Sequence, residues 1–159
     1  METNHLSSFY QIFKTNQKME ATMVSSPAQN KNTVKSMYEA FGRGDIPYIL
    51  SQFSNEIELD ASGIATIPFA RIYRGKSDAT QYFVGLNEAF ETTAFEVSTI
   101  LSEGNRVAAF GRQAGKGRTS GKSFDAQWAM SWEFDDNGLA KKWKGYIDSA
   151  RLDAAYKTN

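Results

Sequence analysis

Three side chains have the right types to move a proton or meet a developing charge. They are Asp148 in "WKGYID", Asp60 at the end of "NEIELD", and Arg112 in "AAFGRQA". A carboxyl group set among Trp, Tyr and Phe rings has its pKa raised towards the working range of a general acid or base. An arginine beside it can stabilise an enolate, and it also pulls the carboxyl back down. Each residue has a plainer reading. Asp148 stands before "SARLDAA" and is a good helix N-cap, as is Ser149 after it. Asp60 can end a strand, and arginines such as Arg112 are mostly exposed.

Other chemistries find no residues. The chain has no cysteine, and its one histidine, His5, lies in the N-terminal stretch. A thiolate, a histidine zinc site and a Ser-His-Asp triad within the domain are therefore not expected, and neither is a cofactor or a metal. "GKGRTSGKS" looks like a phosphate loop, but Lys116 stands where that motif needs its first glycine. It reads as a hairpin tip.

The elements that must position these residues follow from periodicity. Val34, Met37, Tyr38 and Phe41 mark one helical face, which Gly42 and Gly44 stop. Asp45 caps a short helix with Pro47 in its first turn. Ile57 and Leu59 alternate with acids as a strand, and "RIYRG" is a brief one. Ser77 can cap a third helix, with Ala79, Tyr82, Phe83, Leu86 and Phe90 as its core face. After Thr93 the period becomes two. Phe95, Val97, Thr99 and Leu101 share one side of a strand, and "EGNR" turns the chain into Val107–Ala114. Phe124, Ala126, Trp128, Met130, Trp132 and Phe134 then share one face, and Leu139–Ile147 returns. Helices followed by an antiparallel meander predict an α+β domain, with helices packed on one face of a curved sheet. Its aromatic stripe is core, and at the mouth of the curl it becomes pocket wall.

Residues 1–28 read as an extension, with a frayed helix around Leu6–Phe13 and a linker at Ser25, Ser26 and Pro27, and residues 29–159 as a single domain. Met19 and Met23 are alternative translation starts. The extension lacks the pattern of a secretory signal, and no run is long and apolar enough to span a membrane. A cytoplasmic location is expected. Eighteen basic residues balance eighteen acidic ones, so no net field draws nucleic acid or an anionic membrane.

The runs "VKSMYEAFGRGDIPYILSQFSNEIELDASG", "YRGKSDATQYF" and "GKSFDAQWAMSWEFDDNGLAKKWKGYIDSARL" resemble the SnoaL-like polyketide cyclases. That family lies in the nuclear-transport-factor-2-like superfamily, with ketosteroid isomerases and limonene epoxide hydrolases. The resemblance implies a cone: a curved, mostly antiparallel sheet wrapped around about three helices, with a deep pocket. It implies a homodimer through the outer sheet face, expected to carry Val107, Leu139 and Trp143. Asp148 matches the acid/base aspartate of the W-x-x-Y-x-D pattern, Arg112 falls near the hydrolases' arginine, and Asp60 matches the isomerases' general base. Ala114 stands at the hydrolases' second aspartate. Met37 and Met130 stand at the isomerases' oxyanion-hole tyrosine and aspartate.

The resulting expectation is a pocket protein for an apolar carbonyl compound. Asp148 faces the cavity, and Tyr38, Phe41, Phe110, Trp128, Met130, Trp132 and Tyr146 form the walls. It is either a cofactor-independent cyclase, isomerase or lyase, or a non-catalytic ligand-binding or dimerisation module.

Overall fold

The computed structural model describes Gln11 and residues 24–64 and 67–158. The helix expected around Leu6–Phe13 lies outside them apart from helical Gln11. The expected linker is instead the start of the first helix, α1 (Pro27–Gly42). Ser26 is its N-cap in a reciprocal capping box with Gln29, and Pro27 takes a position where its missing N–H costs nothing. The short α2 (Ile46–Ser51) begins where the Asp45 carboxylate accepts the Tyr48 N–H, as expected. Then come β1 (Phe53–Asp60) and β2 (Ile72–Arg74). Helix α3 (Lys76–Ala89) has Gly75 at its N-cap rather than Ser77. Gly75 holds φ +83°, which an L side chain rarely adopts, so the turn from β2 is built on glycine. The meander is β3 (Phe90–Glu103), β4 (Arg106–Gly117), β5 (Ser123–Phe134) and β6 (Ala140–Ile147), and α4 (Ser149–Tyr156) closes the chain.

The strands form one sheet in the order β2-β1-β6-β5-β4-β3. All neighbours are antiparallel except β1 and β6, which run parallel. Its concave face carries Val107, Ala109 and Gln113 of β4, Phe124, Ala126, Trp128, Trp132 and Phe134 of β5, and Trp143 of β6, all buried. Val34, Met37 and Tyr38 of α1 and Ala79 and Tyr82 of α3 pack onto that face. Val107 and Trp143, expected on the outer face, are thus core, because strand alternation puts them beside Ala109 and opposite Trp132. Leu139 lies in the turn before β6. Gly115–Lys122 forms the end of the β4–β5 hairpin, with no helix behind it to hold a phosphate.

Strand β3 departs from simple alternation. Register shifts between Thr92 and Ala94 and between Val97 and Thr99 mark bulges, and each extra residue reverses the side-chain parity beyond it. Phe95 and Val97 therefore pair with Gln113 and Gly111 on the concave side. Thr99 and Leu101 pair with Phe110 and Ala108 on the convex side, and Ile100 takes the inward place.

Among the described residues no helix is long and apolar enough to cross a membrane. Gly111 lies under the Trp128 indole, and a Cβ there would overlap both that ring and the Glu96 carbonyl. Gly111→Ala is therefore expected to destabilise the fold by about 1–3 kcal/mol. Chemical denaturation at equilibrium measures this.

Candidate ligand-binding site

Between the helices and the concave sheet lies an apolar cavity of about 60 Å³. Met37, Tyr38 and Phe41 of α1 and Tyr82, Phe83 and Leu86 of α3 form one side. Leu59, Phe95, Gln113, Met130, Trp132 and Trp143 of the sheet form the other. Among the described residues, no carboxylate, lysine or arginine is among its walls.

Its polar atoms are few and specific. The Trp132 indole N–H donates to the Tyr38 hydroxyl oxygen at 2.9 Å. That hydroxyl donates in turn to the Met130 sulfur at 3.4 Å. A thioether is a weak acceptor, so the phenol's proton has a poor partner. Burial pushes the Tyr38 pKa well above that of an ordinary phenol, and the Trp132 bond only partly offsets this. Tyr38 is thus a neutral donor, not a base. The Gln113 amide N–H donates to the Thr92 hydroxyl at 2.9 Å and lies at the cavity's β4 wall. These groups can orient one acceptor oxygen on an otherwise apolar molecule.

Tyr38, Phe41, Met130 and Trp132 line the cavity, as expected. Trp128 is on the concave face but supports the wall without lining it. Its ring stacks on Phe95 at 5.1 Å, and its indole N–H is buried without a partner. Phe110 and Tyr146, expected as pocket residues, are 42% and 51% exposed on the convex face. They alternate with Ala109, Gly111 and Gly145, which point inward.

The three charged candidates also lie outside the cavity. Asp148 shares the outward parity of Tyr146, because Ile147 takes the inward place opposite Trp128. It occupies the N-cap position of α4 without making a side-chain cap bond. Its side chain is 45% exposed, and its carboxylate accepts from Arg151 Nε at 2.9 Å. The expectation that it faces the cavity is not met, and Ser149 is the first helical residue rather than the cap. Arg112 projects from the convex face, clamped on both oxygens of Asp125 at 2.7 and 2.8 Å and on Glu96 at 3.0 Å. The Arg112 bonds hold the Asp125 carboxyl below its ordinary range. Arg151 also donates to the Asp125 carbonyl, so Arg112 and Asp148 belong to one surface network. Asp60 lies apart, on the convex side of β1. Burial pushes its carboxyl up, but the Ser62 hydroxyl and N–H and the Lys144 ammonium outweigh that and hold it below its ordinary value. A general base in a pocket needs the opposite environment.

Of the cavity's lining, the sequence pointed only to Tyr38, Phe41, Met130 and Trp132; Gln113, Phe83, Leu86 and Phe95 are among those it missed. Gln113 left a signal, as the polar residue that shares strand parity with Ala109 and Gly111. Phe95 was readable only with the bulges in hand.

A helix-filled, curved, unclosed sheet of this order defines the nuclear-transport-factor-2-like fold. It closely matches an NTF2-like protein of unknown function from Burkholderia pseudomallei, with TM-score 0.75 and 20% identity over 82% of this chain and 98% of that one. A Xanthomonas campestris protein, provisionally assigned as a polyketide cyclase, superposes with TM-score 0.67 and 18% identity over 84% of this chain and 100% of that one. A Bacillus subtilis protein, provisionally assigned as an isomerase, gives TM-score 0.70 and 13% identity over 81% of this chain and 93% of that one. No curated protein matches the chain in sequence. The SnoaL-like domain model matches residues 34–143, and the chain belongs to that family.

Two substitutions separate core from surface. Tyr38→Phe strands the Trp132 N–H inside the core and should cost about 1–3 kcal/mol. Asp148→Ala removes only an exposed ion pair and should cost less than about 1 kcal/mol. Thermal and denaturant unfolding of both variants measures the contrast.

Proposed function

We propose that the protein binds a small apolar molecule carrying one acceptor oxygen, such as a ketone, in the cavity beneath Tyr38. The observation that carries this reading is the Tyr38 hydroxyl, which accepts from Trp132 and spends its own proton on a thioether. A carbonyl oxygen is a far better acceptor and would replace Met130 as the acceptor of the Tyr38 hydrogen bond. The absence of any carboxylate from the walls favours binding over proton transfer. The second reading is a cyclase or isomerase that polarises a carbonyl through Tyr38. It draws on the neighbours provisionally assigned to those activities. At about 60 Å³ the cavity is smaller than the ~150 Å³ space that admits benzene, so occupancy requires its walls to move.

Calorimetric titration with cyclohexanone tests this. Tyr38→Phe should weaken binding about tenfold, the loss of one net hydrogen bond in an apolar site, and leave methylcyclohexane binding unchanged. Equal cyclohexanone affinity in both proteins would contradict the reading.

We also propose a homodimer through the convex face. Across that face Thr99, Phe110, Ala129 and Tyr146 stand in register, beside Leu101, Ala108 and Ser131. At one end runs the row Glu103–Arg106–Glu133–Lys142–Glu58–Arg74, which alternates in sign. Turned about a two-fold axis along the strands, such a row sets every charge opposite its complement. An apolar band with a charged rim is the anatomy of a protein interface. Light scattering should give a dimer for the wild type at micromolar concentration and a monomer for Phe110→Asp. A monomeric wild type would refute this arrangement.

A further inference from the structure

A second concavity adjoins the cavity. It is an open groove of about 750 Å³ between the end of α1, the outer side of α3 and the first half of β3. Phe41, Phe83, Leu86 and Phe95 line both spaces, so one layer of apolar side chains separates them. All four are only partly buried, unlike the core rings behind them. Val84, 43% exposed, extends the apolar surface along the groove.

At the groove's polar end stands Arg118. Its backbone N–H donates to the Ala89 carbonyl at 2.9 Å, which fixes it beside the end of α3. Nε donates to the Asn87 carbonyl at 2.5 Å and Nη2 to the Asn87 side-chain oxygen at 3.2 Å. No carboxylate pairs with it among the described residues, and Nη1 makes no hydrogen bond. The groove's one carboxylate, Glu91, is paired with Lys116 at 3.4 Å. Arg118 therefore sets the sign of the charge that the groove offers a ligand.

We propose that this groove is the entrance to the cavity and takes an apolar monocarboxylate. The carboxylate lies on Arg118, and the hydrocarbon runs along Val84 to the wall of Phe41, Phe83, Leu86 and Phe95. The layer opens by rotation of these side chains, and the far end of the ligand, with its acceptor oxygen, reaches Tyr38. The groove's volume lies within the range of small-molecule sites, roughly 300–1,000 Å³, whereas the cavity alone does not. A guanidinium with a donor to spare suits a carboxylate better than a neutral head group does. This rests on the reading of the cavity as a ligand site, and the experiment separates the two.

The probes are octanoate and octan-1-ol, which share a chain and differ in charge. Each is titrated into the full chain and into Arg118→Gln and Arg118→Lys, with the Trp132 indole N–H followed by NMR. Octanoate should bind the wild type more tightly than octan-1-ol. Arg118→Gln should weaken octanoate about tenfold, the equivalent of one charge-assisted bond, and Arg118→Lys should recover most of that. Octan-1-ol should bind all three alike. Octanoate that binds no tighter than octan-1-ol, is indifferent to Arg118→Gln, or does not bind overturns the proposal. If octan-1-ol moves the Trp132 signal while octanoate ignores Arg118, the cavity reading stands and the anchor falls. If octanoate depends on Arg118 but the Trp132 signal stays still, the groove is not the entrance and the proposal is overturned, while the cavity reading still rests on the cyclohexanone titration.

Discussion

Tyr38 joins the helical layer to the sheet, and the rest of the interior is arranged around it. Its ring lies 5.6 Å from Phe95, 5.5 Å from Trp128 and 6.2 Å from Trp132, contacts with β3 and β5 made from a single position on α1. Its hydroxyl then takes the Trp132 N–H, so one of the two indoles on β5 has a satisfied polar atom inside the core. A buried indole without that bond carries a desolvation cost, as Trp128 does next to it. Aromatic bulk, not charge, sets the shape of the cavity, and the phenol sets its chemistry.

Strand alternation keeps charge away from that cavity. Along β4, β5 and β6 the inward places go to Ala109, Gln113, Trp128, Trp132 and Trp143. The outward places go to Arg112, Asp125 and Lys144; Arg112 pairs with Asp125 and Glu96, and Lys144 with Asp60, on the convex face. A one-residue slip would exchange the two sets, so the tryptophans and the ion pairs enforce the same register. Paired carboxylates on that surface have lowered pKa values, as at Asp60 and Asp125, and tie neighbouring strands together.

Much of the fold was legible because its periodicities are strong. The face of α1, the break at Gly42 and Gly44, and the single-sided stripe of β5 all stand where hydrophobic spacing put them. The site was less legible, for physical reasons. Asp148 follows a strand whose inward residues are Trp143, Gly145 and Ile147, and glycine's lack of a side chain hid which parity faced the core. The same small residues, Ala109 and Gly111, made Phe110 look like the inward neighbour. In β3 two bulges reversed the alternation, and nothing in residue type announces a bulge. Resemblance to acid/base enzymes supplied an aspartate at the right point of the chain. Only geometry could tell that it faces solvent and Arg151.

In the proposed complex the ligand's oxygen meets Tyr38 and no carboxylate. Intermolecular nuclear Overhauser effects from bound cyclohexanone measure this most directly. Contacts are expected to the rings of Tyr38 and Trp132 and to the Met130 methyl, with none to residues around Asp148. Contacts concentrated at Asp148 and Arg151, with none at Tyr38, would contradict it.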